Sequence, residues 1–69
     1  MTPLARAAER VLERAMKAFK AEAEIEQEAL ADAVAAKRPL ANHYWQGRHR
    51  AEQRLRAALA VWVAINEED

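Results

Sequence analysis

The sequence predicts an all-α protein, a two-helix antiparallel hairpin that dimerises into a four-helix arrangement. Residues 3–37 repeat apolar side chains with the period of an α-helix, Pro39 interrupts that pattern, and residues 57–65 contain no polar side chain. A helix on the surface of a small monomer keeps one polar face, so a helix that is apolar all round has to be covered. Because a chain of 69 residues is too short to cover it alone, a second copy is expected to do so.

The first helix is expected from about residue 3 to residue 37. Thr2 and Pro3 are typical of a helix start, because threonine caps free amide groups and proline fits the first turn. The segment has no internal glycine or proline and is rich in good helix formers. Its larger apolar residues share one half of the helical wheel: Leu4, Val11, Leu12, Met16, Phe19, Ile25, Leu30 and Val34.

The second helix is expected at about residues 40–66, after a turn at about 38–41, and residues 1–69 form one domain. It begins either at Pro39 or at Asn42, and the apolar register favours the earlier start. Gly47 lies inside this helix at a cost of about 1 kcal/mol relative to alanine. That cost predicts the close approach of another backbone there.

The second helix is predicted to hold the dimer. A core in a chain this small rarely supplies more than about 3–5 kcal/mol, and without cysteine no disulfide can add to it. The absence of cysteine and of a signal peptide fits a cytoplasmic protein, and nine apolar residues are too few to span a bilayer. The expected dimer contacts on the apolar face are Leu55, Leu59, Trp62 and Ile65.

The charges cancel over the whole chain but are segregated along it. Residues 1–20 carry a net +3, residues 21–36 carry −5, residues 37–56 carry +5 and residues 57–69 carry −3. Zero net charge argues against non-specific nucleic-acid binding, which depends on neutralising phosphates. The segregation predicts two local patches of opposite sign.

Two acids interrupt the apolar face of the first helix. Glu22 and Glu26 are four residues apart and are therefore neighbours on one face. The functional interpretation is an acid pair that is catalytic or binds a metal. The structural interpretation is that they meet arginines across the seam, or lie where the interface opens to solvent. A di-metal bundle would require a Glu-x-x-His motif, which is absent from the sequence. No metal, cofactor or catalytic residue is predicted, and the protein is not expected to be an enzyme.

Tyr44, Trp45 and Arg48 form the densest group of residues typical of protein interfaces. Tyr44 belongs to the apolar stripe of the second helix, whereas Trp45 lies about 100° away from it. Together with Glu22 and Glu26 they are the candidate partner-binding residues. His43 and His49 are six apart, a spacing that does not suit shared metal ligation on a helix.

The pattern of the whole chain resembles the small bacteriophage quorum-sensing anti-activator proteins. It comprises the Thr2-Pro3 start, the Ala/Glu/Arg-rich helix, the Arg38-Pro39 break, the segment 43–47 (His-Tyr-Trp-Gln-Gly) and the apolar end at 59–65. The resemblance implies a phage protein inside the bacterial host that binds the DNA-binding domain of a LuxR-type transcription activator. It implies a second target as well, the assembly ATPase of type IV pili.

Two other classes fit a small helical dimer. One is a nucleic-acid-associated regulator, because the basic segment also carries aromatic residues, and it would show steep salt dependence of binding. The other is a structural adaptor with one stoichiometric partner. The anti-activator is the preferred hypothesis, with no direct nucleic-acid binding and no membrane insertion expected.

Overall fold

The computed structural model describes residues 2–68, with the backbone alone at Glu68. Helix α1 runs from Pro3 to Ala36, helix α2 runs from Asn42 to Glu68, and residues 37–41 form the turn between them. The two helices pack against each other along a rod of 53 × 13 × 13 Å. The predicted all-α hairpin is therefore confirmed for a single chain. Within residues 2–68, neither helix has a stretch long and apolar enough to cross a membrane.

Both ends of α1 are capped. The Thr2 hydroxyl accepts a hydrogen bond from the Ala5 amide at 3.1 Å, as predicted from the Thr-Pro start. At the other end Lys37 adopts left-handed backbone angles, φ 56° and ψ 45°. The amides of Lys37 and Arg38 then donate to the carbonyls of Val34 and Ala33. The reversal at Lys37 ends the helix two residues before Pro39.

Replacing Lys37 by glycine is expected to stabilise the protein by about 0.5–1 kcal/mol. A left-handed conformation strains any residue that carries a Cβ, whereas glycine adopts it freely. The gain is reduced because glycine also makes the unfolded chain more flexible. Urea unfolding followed by circular dichroism measures the change, with Lys37→Ala as the control that keeps the strain. Equal midpoints for the glycine and alanine variants would contradict the expectation.

Helix α2 begins at Asn42, which is the later of the two predicted starts. Pro39 and Leu40 instead belong to the turn, and Leu40 is half-buried there. The reason is spatial, since packed helices lie about 8–10 Å apart and the chain needs several non-helical residues to cross that gap.

The seam of α1 follows a heptad pattern. Its members alternate three and four residues apart, which keeps them on one line facing α2. They are Ala5, Ala8, Leu12, Ala15, Phe19, Glu22, Glu26, Ala29 and Ala33. Glu22 lies against Gly47 and Glu26 is bonded to Arg48. Extending this antiparallel register places Phe19 level with Ala51 and Ala8 level with Trp62.

Small and large side chains therefore face each other along the seam, and few side chains are fully enclosed. The buried apolar residues are five alanines, Ala5, Ala8, Ala33, Ala51 and Ala58. The larger seam residues Leu12, Phe19, Leu55 and Trp62 are half-buried. Ten other large apolar side chains among the described residues are more than a third exposed. One hairpin thus leaves much of its apolar surface in water.

Candidate functional site

A ladder of ion pairs crosses the middle of the hairpin. Arg48 Nε lies 2.7 Å from Glu26 Oε2, and the second arm of Arg48 lies 3.6 Å from Glu52. Glu52 in turn accepts a hydrogen bond from Arg56 at 3.0 Å. The side chains of Glu26 and Arg48 are only 21% and 28% exposed. These two predicted partner contacts are bonded to each other within the chain, which supports the interpretation of Glu26 as a seam residue.

Glu22, the other acid of the predicted pair, packs against Gly47. A Cβ added to Gly47 would lie 2.8 Å from Glu22 Oε2, closer than such atoms approach. A side chain at this position would require the flexible end of the half-buried Glu22 to shift. The prediction that another backbone approaches this point was wrong, because the nearest atoms belong to a side chain. The helical wheel gave no signal of this, since it ignores how far a glutamate reaches.

The aromatic residues at the start of α2 separate as the wheel predicted. Tyr44 is half-buried toward α1, and its ring lies 4.0 Å from that of His43. Trp45 is 50% exposed and stacks on His49, with ring centroids 4.9 Å apart and planes 7° from parallel. Both rings of this stack lie on the exposed surface of a regular helix, four residues apart. Of the five predicted partner residues, Trp45 is the one that offers most surface to another molecule.

Two exposed apolar side chains of α1 extend the surface around Trp45. Leu30 and Val34 are 48% and 69% exposed and lie on the same flank of the hairpin as Trp45. Helical side chains lean toward the N-terminus of their helix, so Trp45 leans toward the turn and toward Leu30. Sequence reasoning missed both residues because they fall in the apolar half of the wheel. The alternating three–four spacing of the seam could have distinguished Leu30 and Val34 from the seam residues, because neither belongs to the seam.

We call this flank the tryptophan face; it carries Met16, Leu30, Val34, Trp45, Leu59 and Val63. The ladder of Arg48, Glu52 and Arg56 divides it into two apolar patches, since these residues lie on the same flank of α2. The patch near the turn holds the tryptophan, and the patch near the chain ends holds Leu59.

The opposite flank carries an open apolar groove of about 690 Å³. Its members come from the N-terminal half of α1 and the C-terminal half of α2. They are Leu4, Ala7, Ala8, Val11, Arg14, Ala15, Ala18, Arg54, Ala57, Ala58, Val61 and Ile65. We call this flank the groove face. Leu4, Val11 and Val61 are each more than half exposed on it.

The predicted dimer contacts fall in several directions. Leu55 and Trp62 are half-buried in the seam, where they pack against the chain's own α1. Ile65 is half-buried and lines the groove, while Leu59 is 46% exposed on the tryptophan face. The apolar run 57–65 thus divides among the seam and both flanks. Sequence reasoning missed Leu4, Val11 and Val61 as exposed residues of one surface.

Within residues 2–68, His, Asp and Glu side chains nowhere gather in a group of three or more that could hold a metal ion. The chain matches no protein-family model, no curated protein and no solved structure at a significant level.

Proposed function

We propose that this chain is a phage-encoded inhibitor that acts in the cytoplasm of the bacterial host by protein–protein contact. Its target is the DNA-binding domain of a LuxR-type quorum-sensing activator, which it keeps off promoter DNA. The assembly ATPase of type IV pili is a second target, and the working form is a homodimer. The resemblance of the whole-chain pattern to the anti-activator proteins supports the choice of targets.

The observation that carries a binding role is Trp45. A large aromatic ring that is half exposed and stacked on His49 has the features of an interface anchor. Exposing this aromatic ring to water is unfavourable in free energy, because its apolar area stays hydrated until a partner covers it. A partner protein removes that cost, whereas a purely structural role leaves it in place.

The exposed acidic residues of α1 favour a target with a basic surface. Glu22 and Glu26 lie in the seam, but Glu24, Glu28 and Asp32 of the same acidic segment are exposed. A surface that reads DNA is basic, because it has to neutralise phosphates. An exposed acidic segment on a rigid helix complements it and competes with DNA for the same side chains. Net charge zero also disfavours direct binding to DNA.

The proposal predicts release of an activator from its promoter. A labelled promoter duplex is bound by a purified LuxR-type activator of the host, and this protein is then added in increasing amounts. The shifted band is expected to disappear, while this protein alone leaves the duplex unshifted. A direct shift by this protein, with a steep dependence on salt, would instead favour the nucleic-acid-associated regulator. No effect on any activator–DNA complex would overturn the proposed target.

A further inference from the structure

The groove face is almost uncharged and has an alanine floor. Of the twelve residues that line it, only Arg14 and Arg54 carry a charge. Alanines allow close approach of a neighbouring backbone, because their side chains end at Cβ. The groove is therefore shaped to receive apolar side chains from another helical surface.

The same face also supplies side chains that could fill such a groove. Leu4, Val11 and Val61 project from it and are 64%, 53% and 54% exposed. A two-fold contact requires one surface to hold both the projections and the recesses, since each copy plays both roles. The groove face meets that condition.

Size also favours a second copy. Only an occupant that runs along most of the 53 Å rod can approach the ~800 Å² per partner that an ordinary stable interface buries. The groove itself covers residues 4–18 of α1, roughly 21 Å at 1.5 Å per residue. A peptide confined to the groove would contact less than half of the rod's length, so an occupant that runs along the rod fits better.

From these observations we infer that a second copy of this chain lies lengthwise on the groove face, with the two grooves facing each other at the same end of the dimer. The two tryptophan faces of the dimer then point outward on opposite sides, because each lies across its hairpin from the groove. One dimer can accordingly hold two partner molecules at two Trp45 anchors. The position of the second copy does not depend on the partner, whereas the count of two partners rests on the proposed function.

Glutamates placed on the two flanks test this position. Sedimentation equilibrium is measured for the wild type, for Val61→Glu and for the matched control Val34→Glu on the tryptophan face. The wild type and Val34→Glu are expected to be dimers at micromolar concentration. Val61→Glu is expected to raise the dissociation constant at least 100-fold, because it places a desolvated carboxylate in the apolar contact of each copy.

Cross-linking covers the case in which Val61→Glu fails to fold. The natural sequence has no cysteine, so Val61→Cys and Val34→Cys each introduce a single reactive site. A short bismaleimide is expected to link Val61→Cys into covalent dimers and to leave Val34→Cys largely monomeric on denaturing gels. The reverse pattern would overturn the groove interface while leaving a dimer. A monomeric wild type would overturn dimerisation itself, and neither result depends on whether an activator binds.

Native mass spectrometry tests the count of partners. The dimer is mixed with the purified DNA-binding domain of an activator that it releases from DNA. Two domains per dimer are expected, and saturation at one domain per dimer would contradict outward-facing anchors. Failure to bind any domain would count against the proposed target. It would not affect the groove interface, which the sedimentation and cross-linking experiments test.

Discussion

Trp62→Ala is expected to remove about half or more of the free energy of unfolding. Trp62 is the largest side chain of the seam and lies level with Ala8, where α1 has nothing large to replace it. Truncating a fully buried tryptophan costs about 3–5 kcal/mol, and the half-buried position of Trp62 lowers this to about 2–3 kcal/mol. That loss approaches the total of about 3–5 kcal/mol available to a core of this size. Circular dichroism during urea unfolding measures it.

Leu59→Ala is the matched control, three residues away on the tryptophan face. Because Leu59 is 46% exposed, its truncation is expected to cost less than about 1 kcal/mol. Equal losses from the two variants would instead indicate that Leu59 is buried between two copies, as the sequence predicted. That outcome would also count against the groove interface, since Leu59 and Val61 lie on opposite flanks.

Trp62→Phe is expected to lose less than Trp62→Ala. The indole Nε1 of Trp62 is buried and has no hydrogen-bond partner among the described residues. A buried donor without an acceptor costs about 1–3 kcal/mol, and phenylalanine has no such donor. The phenyl ring keeps most of the seam contact. Neither variant has the donor, so the difference between Trp62→Phe and Trp62→Ala measures packing, and the polar cost enters only the difference between the wild type and Trp62→Phe.

Helix positions and the hairpin could be predicted from the sequence because they depend on local signals. The Thr2 cap, the helical period and Pro39 act within a few residues, and each fixed a boundary to within about two residues of the observed one. The start of α2 was less certain, since the crossing distance between helices decides it. Lys37 gave no signal at all, because glycine or asparagine usually occupies that conformation.

The charge segments also acquire an explanation from the hairpin. In the antiparallel pair the acidic segment 21–36 of α1 runs beside the basic segment 37–56, which comprises the turn and the first part of α2. Opposite charges therefore stand side by side in the half of the rod near the turn, and Glu26–Arg48 is one bond between them. Such pairing favours the antiparallel hairpin over a slipped or parallel one.

The candidate surfaces could be predicted only in part. A helical wheel separates apolar from polar residues, and it placed Trp45 correctly outside the stripe. It cannot tell a residue that faces the chain's own second helix from one on either flank, because all lie in the apolar half. Leu30 and Val34, like Leu4 and Val11, became surface residues only when the position of α2 was known. Similarly, Arg48 looked available until its bond to Glu26 was seen.

Trp45→Ala is expected to abolish binding of at least one partner while leaving the fold intact. Truncating a buried interface aromatic costs at least about 2 kcal/mol of binding, some thirtyfold or more in affinity. Within the free protein Trp45 is half exposed and its main ring contact is His49, so folding stability is expected to change by only about 0.5–1 kcal/mol. Helical circular dichroism and partner affinity are measured on the same preparation.

His49→Ala is the control for this experiment. It removes the stacked ring but keeps the tryptophan, so it is expected to weaken binding much less than Trp45→Ala does. If both variants lose binding equally, the orientation of the ring matters as much as its area. A Trp45→Ala protein that melts far earlier would place Trp45 in a folding or dimer contact. A Trp45→Ala protein that folds and binds every partner normally would show that Trp45 is not an interface anchor. The proposed binding role would then lose its support, because no other side chain near the turn combines the size of Trp45 with its exposure.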